Sequence, residues 1–213
     1  MTHKQRGKFI TLEGGEGVGK STQMGLLAAA LRAHGLTIVV TREPGGSPGA
    51  EAIRELLLHM NADAWSPQTE ALLFAAARSD HVTRVIAPAL ERGDWVLCDR
   101  FIDSSRAYQG GGGALSDTDI MTLHTIGCGG LLPDRTLLLK TENHVANARR
   151  GQRQLEKPDR FEARQASFHT QVAAAFDAMA KQEPSRFHVI NADASPGEVT
   201  ARLMAALIDI LPC

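Results

Sequence analysis

One glycine-rich stretch near the N-terminus constrains the fold of this 213-residue chain more than any other feature. Residues 9–12, Phe-Ile-Thr-Leu, predict a short buried strand, and Gly14 then opens a pattern of glycine, four residues, Gly19, Lys20 and Ser21. An apolar pattern at helical spacing follows directly. Glycines let backbone N–H groups turn toward a phosphate, and the N-terminus of the following helix faces the same anion. The stretch is a P-loop pattern and predicts a site for a nucleoside triphosphate.

The P-loop pattern also predicts what its polar residues contact. Lys20 would reach the β- and γ-phosphates, and the Ser21 hydroxyl would take a place on Mg²⁺. A glycine-rich turn with a coincidental Lys-Ser pair is the alternative, and the flanking strand and helix argue against it. The predicted ATP- and phosphate-binding residues are Gly14, Gly15, Glu16, Gly17, Val18, Gly19, Lys20, Ser21 and Thr22.

Composition indicates a globular protein without a membrane or nucleic-acid partner. The hydrophobic fraction of 43% and charged fraction of 22% are ordinary for a soluble chain. No apolar run approaches the roughly 18 residues of a membrane span, and the polar start lacks a signal-peptide core. A formal charge of −1 gives no global basic field for nucleic acid. Three cysteines without metal-ligand spacing fit reduced thiols. We therefore expect a cytoplasmic protein.

Strands alternate with helices along the chain. The predicted strands cover residues 9–12, 36–41, 94–100, 135–140 and 187–190. The predicted helices include 50–60, a long stretch from Ser66-Pro67, 116–127, a helix from residue 143, 161–181 and 195–211. Asp103 or Ser104 would cap a further helix, which Gly110 to Gly113 break. This alternation predicts an α/β fold, with a five-stranded parallel sheet flanked by helices in one domain over residues 1–213.

Charged residues follow two of the predicted strands, where open α/β sheets bind their ligands. Arg42 and Glu43 lie in a turn rich in Pro and Gly and could order a phosphate and a metal-bound water. A plain loop with a surface ion pair is the alternative. Asp99 stands where a carboxylate usually holds Mg²⁺ waters near a P-loop, and Arg100 would grip a second anion.

Two further segments carry candidate ligand contacts. Phe74 and Arg78 lie one helical turn apart, with three alanines between them, so the ring could stack on a base and the guanidinium could bond its carbonyl. Taken alone, a residue such as Phe74 is more often a core residue and one such as Arg78 more often a solvated one. Residues 148–160 are polar and predict a mobile basic lid, with a solvated loop as the alternative. The basic residues of this segment are Arg149, Arg150, Arg153, Lys157 and Arg160.

Together these motifs resemble those of the thymidylate kinase family, one of the P-loop nucleoside monophosphate kinases. The resemblance spans nearly the whole chain and rests on the joint order of the P-loop with Glu16 and the segments 42–46, 74–78, 99–100, 108–110 and 159–162. It implies ATP-dependent phosphorylation of dTMP to dTDP, with Mg²⁺ as cofactor. It also implies a homodimer, for which the apolar helix around residues 69–90 is a candidate face, although a buried helix would look the same.

The resemblance implies a role for each residue that would bind dTMP. Glu16 would hold the 3′-hydroxyl of the deoxyribose, Phe74 would stack on thymine, and Arg78 would bond its O4 atom. Tyr108 would lie under the sugar, where a 2′-hydroxyl would clash. The remaining implied dTMP contacts are Ser105 and Gln109 at the base, and Arg42 and Arg100 at the acceptor phosphate.

The resemblance also implies the catalytic and metal-binding groups. Gly17 together with lid arginines resembles the bacterial branch, which keeps glycine in the P-loop and places basic residues in the lid. The implied metal-binding residues are Ser21 and Asp99. The implied catalytic residues are Lys20, Asp99, Arg100, Arg149 and Arg153.

Two other functions are compatible with parts of this pattern. One is a kinase for another nucleotide, such as dUMP or dGMP, against which only Phe74, Arg78, Ser105 and Tyr108 argue. A P-loop ATPase that changes partners on hydrolysis would turn over ATP without an acceptor. It would leave the Asp99-Arg100 pair and the basic lid without a role.

Overall fold

The predicted parallel sheet is present in the computed structural model of the protein, which describes residues 6–59, 64–141, 161 and 164–212. The sheet strands in this part of the chain are β1 (Phe9–Glu13), β2 (Ile38–Arg42), β3 (Trp95–Asp99), β4 (Arg135–Lys140) and β5 (Phe187–Asn191). Their spatial order is β2-β3-β1-β4-β5, and each neighbouring pair is parallel. The strand before the P-loop is therefore central, and its carboxyl end meets those of β3 and β4.

Helices cover both faces of the sheet. The described helices are α1 (Lys20–Ala33), α2 (Pro48–His59), α3 (Pro67–His81), α4 (Ala87–Glu91), α5 (Ile102–Ser105), α6 (Asp117–Cys128), α7 (Ala166–Gln182) and α8 (Pro196–Ala205). A π-helical turn, Val82–Ile86, joins α3 to α4, and a second one, Arg106–Gly111, extends α5. The predicted start of α3 is confirmed, because Ser66 accepts a hydrogen bond from the Thr69 backbone N–H and Pro67 is the first helical residue.

Alternation along the strands divides the core between the two faces. In β1, Phe9 packs with α3, α4 and the chain after β3, whereas Ile10 and Leu12 pack with α1 and α8. All five β1 residues are buried, which is typical of a parallel strand covered on both sides. Each fully buried Leu or Ile side chain contributes about 1.5–3 kcal/mol through removal from water. The P-loop thus starts from a rigid central strand.

Two predicted helix boundaries are wrong. The helix predicted from residue 161 begins at Ala166, because residue 161 lies in a turn whose backbone carbonyl accepts the Arg164 N–H. The last helix ends at Ala205 rather than residue 211, and the chain continues as short hydrogen-bonded turns around a fully buried Leu207. Both errors lie where tertiary contacts, rather than a capping or breaking residue, decide where the helix starts or stops.

Neither Asp103 nor Ser104, the two residues predicted to cap this helix, occupies the cap position of α5. Helix α5 begins at Ile102 with Phe101 in the cap position, so Asp103 and Ser104 lie inside the helix. The Asp103 carboxylate is fully buried and accepts hydrogen bonds from Arg186 and Thr136. The predicted break at the glycines occurs at Gly112, after the π-helical turn, which differs by two residues from the predicted start of the break.

Some predictions fall outside the described residues. These are the helix predicted from residue 143 and the basic lid at 148–160, including Arg149 and Arg153. Among the described helices, none combines the length and apolar character needed to cross a membrane.

Candidate active site

A cavity of about 560 Å³ opens at the carboxyl ends of β1, β2 and β3. The P-loop and the start of α1 form one end, and residues of α2, α3 and the π-helical turn after α5 form the other. The predicted site residues that line it are Glu16, Gly17, Val18, Gly19, Lys20, Ser21, Arg42, Phe74, Arg78, Asp99, Arg100, Ser105, Tyr108 and Gln109. The structure therefore brings phosphate-binding and base-binding candidates into one space.

The P-loop backbone favours glycine at three places, because Gly14, Gly17 and Gly19 all have positive φ angles. Gly14 has φ +135°, and a Cβ there would lie 2.4 Å from the Leu139 carbonyl oxygen. Gly19, with φ 98°, is left-handed and leads directly into α1. Lys20 is buried, and its ammonium group donates to the carbonyls of Gly14 and Gly15 at 3.0 and 2.9 Å. These contacts hold the lysine head under the loop, at the end of the cavity suited to phosphates.

Arg100 projects into the cavity from a strained backbone position. Its φ of 68° is uncommon for a residue other than glycine, and its N–H donates to the Leu12 carbonyl at 3.0 Å. The guanidinium pairs with the Glu16 carboxylate and lies 5.0 Å from the centre of the Tyr108 ring. The Tyr108 hydroxyl also donates to Glu16, at 3.3 Å. Arg100, Glu16 and Tyr108 thus form one hydrogen-bonded group at the middle of the cavity.

Glu13 is a buried carboxylate below this group that the sequence reasoning missed. It accepts the Phe101 N–H at 2.8 Å and the Ser104 hydroxyl at 2.6 Å, and so fixes the backbone immediately after Arg100. Burial raises the pKa of Glu13 to about 7, and the nearby Asp103 carboxylate acts in the same direction. An acidic residue at the end of an otherwise apolar strand was the signal that could have identified it.

The pKa values of Glu13 in β1 and Glu16 in the P-loop are shifted in opposite directions by their surroundings. Burial by itself would raise the pKa of Glu16, but Arg100 and then Lys20 outweigh it and lower that pKa to about 2. Burial raises the pKa of Tyr108 to about 12, so its hydroxyl remains a donor at neutral pH. Glu16 is therefore a charged acceptor within the cavity, suited to a hydroxyl donor on a ligand.

Arg78 lies at the other end of the cavity, where neighbouring side chains hold its guanidinium in place. Its side chain is 3% exposed, donates from Nε to Glu43 at 2.8 Å and from Nη2 to Ser105 at 2.8 Å. Phe74, one turn earlier on α3, packs edge to face on Phe161 with ring centres 5.6 Å apart. The alternative of a solvated Arg78 is wrong, because Glu43 and Ser105 hold the guanidinium within the cavity wall.

The expectation that Glu43 orders a metal-bound water stays a prediction, and the structure gives its carboxylate two protein partners. Its buried carboxylate faces Arg78 on one side and His81 Nδ1, at 3.0 Å, on the other. His81 Nε2 in turn lies 2.7 Å from the Thr41 hydroxyl. A carboxylate with a partner on each oxygen in this way positions the arginine. The sequence reasoning did not identify His81.

Arg42 lies at the rim of the cavity. Its guanidinium is half exposed and donates to both Glu51 oxygens, at 3.2 and 3.1 Å. A rim arginine of this kind can swing toward an anion, since an exposed ion pair contributes at most about 1 kcal/mol.

Several residues around the cavity had no predicted role. Those that line it are Pro44, Arg54, Leu58, His59, Phe101, Ser104 and Phe161. Of the predicted phosphate-binding residues, Gly14 and Gly15 lie behind Lys20, and Thr22 is exposed on α1 outside the cavity lining.

The predicted metal-binding residues fit a magnesium ion. Asp99 Oδ1 is buried and accepts no hydrogen bond from the described residues, and Ser21 lies on the first turn of α1 in the same cavity. The described part of the chain holds no cluster of three or more His, Cys, Asp or Glu side chains suited to a metal. The pair of Ser21 and Asp99 suits Mg²⁺, which keeps several waters and binds through few protein oxygens plus substrate phosphates.

Comparisons with known proteins agree with this geometry. Residues 12–203 match the family model for thymidylate kinase. The chain is 62% identical over 206 residues to a thymidylate kinase of Rhizorhabdus wittichii, covering 97% of this chain and 99% of that protein. It is 49% identical to one of Bradyrhizobium diazoefficiens, covering 97% and 91%.

A solved structure gives the same result. The crystal structure of thymidylate kinase from Ehrlichia chaffeensis superposes with a TM-score of 0.77 at 31% identity, covering 95% of this chain and 99% of that one. The P-loop, Arg100 and Arg78 described above thus stand in a chain that matches the family over most of its length. By sequence and by structure, the chain belongs to the thymidylate kinase family.

Proposed function

We propose that this protein transfers the γ-phosphoryl group of ATP to dTMP, forming dTDP and ADP. One observation carries the proposal: a single cavity joins the P-loop with Lys20 to the buried Arg78 and the half-buried Phe74, with Arg100 between them. A phosphate site and a base site at opposite ends of one cavity suit an acceptor nucleotide whose phosphate must meet the γ-phosphate of ATP.

The base end suits a pyrimidine with a carbonyl at position 4. Arg78 carries only donors and is held in place by Glu43 and Ser105, so it can give an N–H to O4 without moving. Phe74 offers a ring face or edge to the base in the same wall. The charged Glu16 would accept the 3′-hydroxyl, and the Tyr108 ring beside it would exclude a 2′-hydroxyl.

The phosphate end supplies positive charge where the reaction concentrates negative charge. ATP and a nucleoside monophosphate together bring about six negative charges. We assign Lys20 to the β- and γ-phosphates of ATP, and Arg100 with Arg42 to the phosphate of dTMP. No general base is required, because the dianionic acceptor phosphate is itself the nucleophile. Catalysis then consists of in-line positioning and charge stabilisation.

Magnesium and the lid complete the proposal. Ser21 and Asp99 would hold Mg²⁺, Asp99 through water, and the ion would neutralise phosphate charge when bound. Arg149 and Arg153, outside the described residues, would reach the transferred phosphoryl group. An arginine brought in this way can contribute roughly 10³-fold by analogy with arginine fingers.

We also propose a homodimer formed through α3 and α6. These helices pack together, with the Ser79 hydroxyl donating to the Gly127 carbonyl at 2.7 Å. On their outer side, Leu72 of α3 is 55% exposed and Ile126 of α6 is 79% exposed. Large apolar side chains exposed on adjacent helices suit a second copy of the same surface. Sedimentation at micromolar concentration would show twice the chain mass.

The activity is tested by ADP release from ATP and Mg²⁺ with dTMP, dUMP, dGMP and dCMP, each in a separate reaction. A reaction without acceptor is included. We expect ADP release that depends on dTMP and an equal yield of dTDP. Equal release in all reactions would establish an ATPase instead, and faster release with another nucleotide would reassign the base pocket.

A further inference from the structure

Gln109, at the base end of the cavity, has its side-chain amide held in one orientation. Its Nε2 atom donates to Glu70 Oε1 at 2.9 Å, and both side chains are buried. An ionised carboxylate can only accept hydrogen bonds, so the nitrogen of the amide must face Glu70. The amide oxygen consequently lies on the other side of the group and is the acceptor that Gln109 can offer to a ligand.

Glu70 is itself fixed from the side opposite Gln109. Arg164 donates to Glu70 Oε2 at 3.2 Å, and the Arg164 guanidinium lies 4.6 Å from the Phe168 ring centre and 5.5 Å from that of Phe161. The nearby positive charge offsets the cost of burying the Glu70 carboxylate. Glu70 therefore links Gln109, at the base end of the cavity, to Arg164, which lies just before α7.

The donor and acceptor pattern of the cavity wall distinguishes pyrimidines by their chemistry. Thymine and uracil present an acceptor at O4 and a donor at N3–H, whereas cytosine presents a donor amine at C4 and an acceptor at N3. Arg78 supplies only donors, and Gln109, in the orientation set by Glu70, supplies an acceptor. Both positions suit a 2,4-dioxopyrimidine, and both mismatch cytosine.

We propose that Glu70 is a positioning residue that determines base specificity, by forcing Gln109 to present its amide oxygen to N3–H of the base. The inference rests on the proposed function and names how its base pocket excludes cytosine. A pocket that binds a substrate N–H through a fixed acceptor rejects an analogue lacking that donor, because the buried acceptor is then unpaired.

The substitution Glu70→Gln tests this role with almost no change in size. The introduced amide can pair with Gln109 in either direction, so the Gln109 amide can turn its nitrogen toward the base. We expect kcat/KM for dTMP to fall about tenfold and that for dCMP to rise, so that their ratio falls by about ten- to a hundredfold. Dissociation constants of both nucleotides, from calorimetry, should shift in the same directions.

Three variants separate this role from a structural one. Arg164→Met removes the ion pair but keeps the Gln109–Glu70 bond, so the dTMP/dCMP ratio should stay at the wild-type value. Glu91→Gln changes an exposed glutamate at the end of α4 and should leave kcat/KM unchanged for both nucleotides. The double variant Glu70→Gln/Gln109→Glu exchanges the two side chains. The amide, now on α3, then donates to the carboxylate, which presents an acceptor to the base, so the ratio should recover.

The outcomes distinguish this inference from the proposed function. A wild-type protein without dTMP-dependent activity would overturn the proposed function itself. An active wild type with an unchanged dTMP/dCMP ratio in Glu70→Gln would overturn the role of Glu70 alone. A ratio that falls equally in Arg164→Met would assign the effect to the ion pair rather than to the amide orientation. If Glu70→Gln lost its thermal transition, the double variant would decide: a wild-type dTMP/dCMP ratio would support the role of Glu70, and a ratio at least tenfold lower would overturn it.

Discussion

Replacing Glu13 by glutamine should change how the stability of the protein depends on pH. Glutamine keeps an oxygen that can accept the Phe101 N–H, and its amide nitrogen can donate to Ser104, which reverses the direction of one hydrogen bond. The substitution therefore removes a titrating group with little change in packing. Its effect reports the cost of ionising this one buried carboxyl.

The magnitude follows from the pKa of Glu13 in the folded protein. Burial first, and Asp103 second, raise it from the ordinary 4.5 to about 7. Between these values the folded protein holds a proton that the unfolded chain has released, so stability falls as pH rises. At about 1.4 kcal/mol per pH unit, the loss is roughly 3 kcal/mol. It is absent below pH 4.5 and complete above pH 7.

Urea unfolding at about pH 5, 6, 7 and 8 measures this loss. The free energy of unfolding of Glu13→Gln, relative to wild type, should rise by roughly 3 kcal/mol between about pH 5 and pH 8. Other titrating groups contribute equally to both proteins and cancel in the difference. Parallel pH profiles would refute the argument, since Glu13 would then have a similar pKa in the folded and unfolded chains.

Three further substitutions test other parts of the site. Arg100→Ala should lower kcat/KM for dTMP about 10²–10³-fold, because the proposed phosphate contact within the cavity is lost, whereas the exposed Arg92→Ala should have little effect; similar losses would remove Arg100 from the acceptor site. Tyr108→Ala should raise the kcat/KM of ribosyl thymidine monophosphate relative to dTMP about tenfold, and an unchanged ratio would rule out its role against a 2′-hydroxyl. Ile126→Glu should halve the mass in sedimentation while Ile208→Glu, 69% exposed on the chain after α8, should not; a dimer that survives Ile126→Glu would move the interface elsewhere.

The fold was predictable because its signals are local. Each strand of the sheet is a short apolar run that ends at a charged or polar residue. Helix starts at residues 66, 116 and 195 were equally local, since a serine side chain caps each of them. The end of the last helix was not predictable from a local signal, because turn formation there depends on buried partners such as Leu207 rather than on a breaking residue.

Many residues that line the cavity were also predictable, but the buried residues that hold them in place were not. The P-loop and the Phe74/Arg78 pair are patterns within a few positions of the chain. By contrast, Glu43 meets Arg78 across 35 positions, Gln109 meets Glu70 across 39, and Glu13 meets the Phe101 N–H across 88. Each of these glutamates is an ordinary residue in its own segment, and only the packed sheet shows which group it holds. Sequence patterns therefore identified the residues that line the cavity better than those that position them.

Three cationic side chains of the cavity already donate hydrogen bonds to acceptors within the protein. One of these interactions, the Arg100–Glu16 ion pair, links the proposed phosphate contact of Arg100 to the proposed sugar contact of Glu16. Lys20 donates to its own loop carbonyls, Arg42 to Glu51, and Arg100 to Glu16. A phosphate that takes the Arg100 guanidinium must compete with the Glu16 carboxylate, whose pKa of about 2 shows how strongly it is held in its charged form. Once released from Arg100, that carboxylate lacks its strongest donor, and a sugar hydroxyl can replace it. Binding of the acceptor phosphate and recognition of the 3′-hydroxyl are therefore coupled through one ion pair, so a nucleotide missing both groups should lose less affinity than the sum of the losses measured when each group is missing alone.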